Sequence, residues 1–168
     1  MEKGLLYICP TPIGNLEDIT LRTLKVLEEV DLVAAEDTRR TLKLLNRYNI
    51  KKPLTSYHEH NKKTKGQILV EKLKEGAKIA LVTDAGMPGI SDPGEDIIKL
   101  CIEENIDIIA LPGATAFTLA LVLSGLKTDK FVFEGFLPSK NRDRIKELER
   151  LKGEERTIIL YEAPHRME

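Results

Sequence analysis

An α/β fold with a mostly parallel sheet and flanking helices is the fold class that this sequence predicts. Short β-rich apolar runs alternate with amphipathic segments along its 168 residues, and the runs at 79–83 and 106–111 are almost continuously apolar. Strands that alternate with single helices are typical of parallel sheets, and continuously apolar strands are typical of sheets covered on both faces. Aromatic residues make up only 5% of the chain and Trp is absent, so Leu, Ile, Val and Ala must build the core.

Five strands and four helices are predicted in the first part of the chain. The periodicity of apolar residues places the strands at 5–9, 32–35, 54–57, 79–83 and 106–111, and the helices at 20–29, 38–48, 64–75 and 94–104. Ser, Thr, Asp and Asn favour helix N-caps and Gly favours the position after a helix, so Thr20 and Thr38 are candidate caps and Gly76 a helix stop.

A second α/β unit is predicted to start near residue 127. After a helix at 114–125 the pattern restarts with a strand at 131–136, a helix at 141–151 and a strand at 157–161. We therefore expect an N-terminal domain at 1–126 and the beginning of a C-terminal α/β domain at 127–168. About 40 residues are too few for a stable core, so we expect this second domain to continue beyond the chain.

Composition and patterning exclude several classes of protein. Hydrophobic residues make up 42% and charged residues 32%, which excludes a collagen-like or low-complexity chain. The two cysteines, Cys9 and Cys101, lie in apolar runs and are predicted to be buried free thiols in a reducing compartment. The uncharged stretch at 108–126 is interrupted by Pro112 and Gly113, which indicates a core helix rather than a membrane span. We expect a soluble cytoplasmic protein.

Positive charge is concentrated in one segment, although the net charge of the chain is −1. Between residues 39 and 65 there are nine basic residues and one acid, Glu59, which gives this segment +8. The nine are Arg39, Arg40, Lys43, Arg47, Lys51, Lys52, Lys62, Lys63 and Lys65. Such asymmetry indicates an anionic partner on one face, and a merely solvated helix surface is the alternative.

The loop at 84–94 has the densest turn chemistry in the chain. It contains three Gly and two Pro but no Lys or Arg, and Glu95 and Asp96 follow in the first turn of the next helix. In α/β sheets ligands bind beyond the carboxyl ends of the strands, where this loop lies. The acids already occupy the positive end of the helix, so the loop suits a hydroxylated or cationic ligand better than a phosphate, unless it is simply a turn. The chain contains neither G-x-G-x-x-G nor a P-loop motif.

Two further clusters follow the second and third strands. In E-D-T-R-R, Glu36 and Asp37 are close in sequence to Arg39 and Arg40. This cluster is interpreted either as a capped helix start or as a group that orients a substrate. In H-E-H at 58–60, the two histidines would share one face of an extended segment. No further metal ligand is implied, and we expect no metal site.

Seven loop motifs stand in register along essentially the whole chain. They are T-P-I-G-N-L-E-D-I (11–19), A-E-D-T-R (35–39), S-Y-H-E-H-N (56–61), T-D-A-G-M-P-G-I-S-D-P-G (83–94), L-P-G-A-T-A (111–116), F-E-G-F-L-P (133–138) and Y-E-A-P-H-R (161–166). Together they closely resemble the tetrapyrrole methylases, the class III S-adenosylmethionine (SAM)-dependent methyltransferases, and within them the branch that methylates ribosomal RNA. The resemblance implies SAM bound in a cleft between two α/β domains, usually in a homodimer, and 2′-O-methylation of a cytidine ribose in 16S rRNA of the small ribosomal subunit.

The resemblance also implies which residues bind the cofactor. The expected SAM contacts are Pro10, Asp84, Gly86, Ile90, Ser91, Ala114, Thr115, Ala163 and Pro164. The expected RNA contacts, drawn from the basic segment, are Arg39, Arg40, Lys43, Arg47, Lys62, Lys63 and Lys65. Two alternatives stay open, namely a methyltransferase acting on a precorrin-like tetrapyrrole and a non-catalytic RNA-binding factor.

Candidate catalytic residues follow from position, because a 2′-hydroxyl needs a proton acceptor or a stabilising cation close to the methyl donor. Glu36 and Arg39 after the second strand, and His58 and Glu59 after the third, meet that requirement. A histidine can accept a proton near neutral pH, and Arg39 could hold the phosphate beside the reacting ribose. Asp37 also meets it, although a helix cap is the favoured role for that residue.

Overall fold

A five-stranded parallel sheet organises the first part of the computed structural model, which describes residues 4–167. Its strands are β1 (Leu5–Ile8), β2 (Leu32–Ala35), β3 (Leu54–Ser56), β4 (Lys78–Val82) and β5 (Asp107–Ala110). Their order is β3-β2-β4-β1-β5, and every neighbouring pair is parallel. The helices between them are α1 (Leu21–Glu29), α2 (Thr38–Arg47), α3 (Lys62–Lys74) and α4 (Glu95–Glu103). The predicted fold class is confirmed.

Helices cover both faces of this sheet, which explains why its central strands are apolar throughout. In β4, Ile79 and Leu81 belong to a core cluster with α3 and α4, whereas Ala80 and Val82 belong to a second cluster with α1 and α2. Successive strand residues point to opposite faces, so each face needs its own apolar set. Cys101 lies in the first cluster and is fully buried, as predicted for a free thiol.

Helix boundaries follow local capping chemistry, with one correction. The Thr20 side chain accepts a hydrogen bond from the Thr23 amide and caps α1, and Gly76 follows α3 with φ of 100°, both as predicted. At α2 the cap is Asp37, whose Oδ1 accepts from the Arg39 amide at 2.8 Å. The prediction of Thr38 as the cap is wrong because Asp37 is also a good capping residue and lies one position earlier.

The remaining elements form a second unit. It contains α5 (Ala116–Leu123), β6 (Phe131–Phe136), α6 (Asn141–Leu151) and β7 (Thr157–Tyr161), with β6 and β7 paired in parallel. The Tyr161 hydroxyl accepts a hydrogen bond from the Phe117 amide at 3.2 Å, and the Phe117 and Phe133 rings stack with centroids 4.8 Å apart. These contacts tie α5 to the two-stranded sheet.

The two compact units are Met1–Thr115 and Ala116–Glu168. Helix α5 therefore groups with the second unit, whereas the sequence placed it in the first. The periodic pattern of α5 identifies a helix but does not show which sheet the helix packs on. The boundary at 126/127, which we expect to divide the complete protein into domains, stays a prediction. Within residues 4–167, no helix is long and apolar enough to cross a membrane.

Candidate functional site

Two loops cross at the carboxyl edge of the five-stranded sheet. Thr11, after β1, and Gly86, after β4, exchange reciprocal main-chain hydrogen bonds of 3.0 Å. The Thr11 hydroxyl, which is buried, also donates to the Thr83 carbonyl at 3.0 Å. Gly86 has φ of +85°, a conformation that L side chains rarely adopt, so glycine is needed at the crossing. The two loops are thus held together before any ligand arrives.

A cluster of carboxylates lies beside this crossing, at the ends of the adjacent strands β2 and β4. The Asp84 amide donates to Glu36 Oε2 at 3.2 Å, and Asp84 Oδ1 accepts from the Asp37 amide at 3.1 Å. Asp92 belongs to the same loop as Asp84, and it is close enough to Glu36 and Asp84 for their negative charges to act on its carboxyl group. We call Glu36, Asp84 and Asp92 the carboxylate cluster.

The electrostatics of this cluster favour a cationic ligand. Burial, and then the charges of Glu36 and Asp84, raise the pKa of Asp92 to about 6, against a smaller opposing effect of its hydrogen bond with Thr83. Among the ion pairs of residues 4–167, Arg40 is the only basic residue paired with the carboxylate cluster. Its guanidinium lies 3.3 Å from Asp84 Oδ2. A positively charged ligand bound here would therefore reduce the repulsion among the three carboxylates.

The loop after β5 completes this edge of the sheet. A Cβ added at Gly113 would lie 2.3 Å from Cγ of the buried Pro10, which follows β1. The Ala114 carbonyl lies 3.7 Å from the corresponding position at Gly86. Glycines in the β4 and β5 loops thus allow the three loops to approach closely here, which is the arrangement that lets a ligand bind against backbone groups.

Comparison with known proteins identifies the family of this chain. A sequence model described as "Tetrapyrrole (Corrin/Porphyrin) Methylases" matches residues 5–168. The chain belongs to the tetrapyrrole methylase family. Enzymes of this family are methyltransferases that use SAM as their methyl donor.

Three relatives of this chain carry the same name. The protein named "Ribosomal RNA small subunit methyltransferase I" from Synechocystis sp. is 58% identical over 164 residues, which cover 98% of this chain and 59% of that protein. The Thermotoga maritima protein of the same name is 54% identical over 98% of this chain and 73% of its own length. The Bacillus subtilis protein of that name is 52% identical over 99% and 57%. The chain thus spans about three fifths of the length of the first and third of these curated relatives.

Solved structures share the fold of this chain at low sequence identity. A diphthine synthase matches with a TM-score of 0.68 at 17% identity, over 96% of this chain and 66% of that one. A uroporphyrin-III-C-methyltransferase from Thermus thermophilus matches with a TM-score of 0.59 at 22% identity, over 80% and 60%. The predicted α/β methylase architecture agrees with both.

The structure brings together most of the expected SAM contacts. Those in the first unit lie in the three loops that follow β1, β4 and β5; they are Pro10, Asp84, Gly86, Ile90, Ser91, Ala114 and Thr115. Ser91 has φ of +59°, which reflects the tight path of the β4 loop. Ala163 and Pro164 belong to the second unit, where Ala163 precedes a short 3₁₀ helix at Pro164–Arg166.

The candidate catalytic residues have different partners. Glu36 belongs to the carboxylate cluster, and Arg39 is held by two side-chain hydrogen bonds to Asp37. Glu59 forms an ion pair with Lys62 at 2.8 Å. His58 Nε2 lies 3.2 Å from the Asn61 amide nitrogen, and its Nδ1 is buried with no hydrogen-bond partner among residues 4–167.

The expectation that residues 58–60 are extended is wrong. The chain turns here, because the Asn61 side chain accepts from the His58 amide at 2.9 Å and donates to the Ser56 carbonyl at 3.3 Å. The His58 and His60 rings consequently meet edge to face, with centroids 6.0 Å apart. The same turn starts α3 at Lys62, two residues earlier than predicted.

Some cations of the basic segment are paired with carboxylates within the fold. Lys62 contacts both Glu59 and Asp96 at 2.8 Å, and hydrogen bonds to these two carboxylates raise the pKa of its ammonium group. The Arg39 side chain stays 87% exposed despite its pairing with Asp37. The side chains of Lys43 and Arg47 on α2, and of Lys63 at the start of α3, are exposed.

Asp92 belongs to this site although it is not among the site residues predicted from the sequence. It stands in the motif S-D-P-G, and its proximity to Glu36 arises only when β2 and β4 become neighbours in the sheet. An acidic residue between glycines and prolines was the available signal, but it does not distinguish a ligand contact from a turn residue.

Proposed function

We propose that this chain is the SAM-binding part of a methyltransferase that modifies the 2′ oxygen of a cytidine ribose in 16S rRNA of the small ribosomal subunit. The carboxylate cluster at the carboxyl edge of the sheet is the observation that carries the proposal. The rRNA target is supported by the names of the relatives, which share 50–58% of their aligned residues with this chain. The cytidine 2′ position follows from the family resemblance.

The residues at this edge fit SAM. When bound, SAM supplies a methyl group on a positively charged sulfur. The carboxylate cluster would face positive charge of the ligand, and the main chain around Gly86 and Ala114 would contact its neutral parts. SAM contains no phosphate, and the 84–94 loop contains no Lys or Arg that would bind one. Holding the 2′ oxygen in line with the methyl group is the main task, since positioning can contribute about 7–11 kcal/mol.

The affinity for SAM is expected to rise about tenfold between pH 5 and pH 7. A bound cation favours the ionised form of Asp92 and lowers its pKa below 6, so binding releases a proton and strengthens as pH rises through 6. Titration calorimetry with SAM across this range measures the effect. Asp92→Asn should remove it. Asp96→Asn should retain it, because a hydrogen bond from Lys62 already lowers the pKa of Asp96. Equal affinity at both pH values in the parent protein contradicts the assignment.

His58 and Arg39 remain our proposed groups for proton removal and phosphate positioning, with Glu36 and Glu59 as further candidates. His58→Ala and Arg39→Ala should each lower the methylation rate of small subunits by about tenfold or more while SAM affinity is retained. His60→Ala is the matched control, since His60 is an exposed neighbour in the same turn. Parental rates in both variants would place this chemistry elsewhere in the complete protein.

Transfer of a labelled methyl group from SAM by the full-length protein tests the whole proposal. Unmodified small subunits should accept the label on one cytidine ribose. Labelling of a corrinoid precursor with none on small subunits would favour the tetrapyrrole substrate instead, and RNA binding without turnover would favour a non-catalytic factor.

We further propose a homodimer in the cytoplasm. The family resemblance supports the dimer, as does apolar surface on α5, where Val122 and Leu123 are largely exposed. The free buried thiols support a reducing compartment.

A further inference from the structure

A small pocket lies between helix α2 and the loop that follows β1. Its volume is about 140 Å³, and Pro12, Leu16 and Leu44 supply most of its apolar wall. Sites that hold a whole drug-sized ligand measure about 300–1,000 Å³, so this pocket is sized for a single ring. None of the described residues that line it is aromatic.

The two walls of this pocket are joined in the folded chain. The Tyr48 hydroxyl, at the end of α2, donates a 2.6 Å hydrogen bond to the Leu16 carbonyl in the opposite wall. Leu44 is almost fully buried and anchors α2 from below. The pocket therefore exists before a ligand binds, which lowers the entropic cost of binding.

Charged side chains of both signs line the pocket. Lys43 is one of them, and no ion pair within residues 4–167 involves it. Arg40 and Asp84 also line it, with the Arg40 guanidinium 3.3 Å from Asp84 Oδ2. Asp84 belongs to the carboxylate cluster, so the pocket adjoins the proposed SAM site.

We propose that this pocket binds the acceptor ribose of the RNA, an inference that rests on the proposed function. The sugar ring packs on Pro12, Leu16 and Leu44, a hydroxyl donates to Asp84, and the attached phosphate binds Lys43. A ribose fits better than a base, because bases read by proteins usually stack on an aromatic ring or on an Arg guanidinium. The described lining residues include no aromatic ring, and their one arginine, Arg40, is paired with Asp84. Hydroxyl groups also match the carboxylate, which can only accept hydrogen bonds when ionised.

Blocking the pocket separates this inference from general RNA affinity. In the full-length protein, Leu16→Trp should lower affinity for a single-stranded fragment of the rRNA by about tenfold. It should also lower the preference for RNA over DNA of the same sequence, because the 2′-hydroxyl distinguishes the two. Leu42→Trp is the matched control, since Leu42 on α2 is 48% exposed, against 44% for Leu16, and does not line the pocket. SAM affinity should be parental in both variants.

A charge reversal provides the second test. Lys43→Glu should lower RNA affinity several times more than Arg47→Glu, which makes the same charge change one turn further along α2. If Leu16→Trp matches Leu42→Trp and the two reversals are equal, the pocket inference is overturned while the proposed function stands. If the parent protein binds neither SAM nor RNA, the proposed function fails and the inference fails with it.

Discussion

Gly113→Ala is expected to lower the affinity for SAM more than tenfold and to destabilise the fold by about 1–3 kcal/mol. The added Cβ would lie 2.3 Å from Cγ and 2.7 Å from Cβ of Pro10, and a proline ring cannot rotate away. The loops after β1 and β5 must therefore separate, and both carry expected SAM contacts. Calorimetric titration with SAM and thermal unfolding of the same preparations measure the two effects.

Gly14→Ala is the control for this substitution. Gly14 lies in the same β1 loop, no heavy atom of residues 4–167 lies within 4 Å of the added Cβ, and its φ is not positive. Its affinity for SAM should match that of the parent protein. Parental SAM affinity in Gly113→Ala would show that the contact between the β1 and β5 loops is not part of the cofactor site.

Reversing the basic stripe of α2, formed by Arg39, Lys43 and Arg47, to glutamate should lower RNA affinity about a hundredfold or more at low salt. Each of these side chains is exposed, and each phosphate contact contributes to the steep salt dependence of RNA binding. The slope of log affinity against log salt should therefore become shallower. SAM affinity should not change.

A second triple variant controls for net charge. Lys25, Lys72 and Lys99 are exposed lysines on α1, α3 and α4, and their reversal changes the net charge by the same amount. Its RNA affinity should fall much less than that of the stripe variant. Equal losses in the two variants would mean that total charge, and not the position of the stripe, controls binding.

The strands and helices were predictable because their signals are local. Apolar runs identified the seven strands described to within a few residues, because each strand of a sheet covered by helices is itself an apolar run. The N-cap of α2 was misplaced because Asp37 and Thr38 are adjacent capping residues, and only the main-chain path distinguishes them. Helix α5 groups with the second compact unit, and its sequence pattern could not show this because the pattern carries no information on the packing partner of a helix.

The site was predictable as a set of loops but not as a set of contacts. Strand order places β2 beside β4, and this adjacency creates the link between Glu36 and Asp84 and the repulsion at Asp92. The pairing of Lys62 with Asp96 likewise joins segments that the sequence separates. The turn at His58 did have a local signal, because an Asn three residues later commonly folds back on the main chain.

The crossing of Thr11 and Gly86 has a consequence for motion. The Thr11 and Gly86 amides each donate to the carbonyl of the other residue, so hydrogen exchange at the two positions requires one shared opening event rather than two independent ones. An opening that separates the β1 and β4 loops at this point must break both hydrogen bonds together.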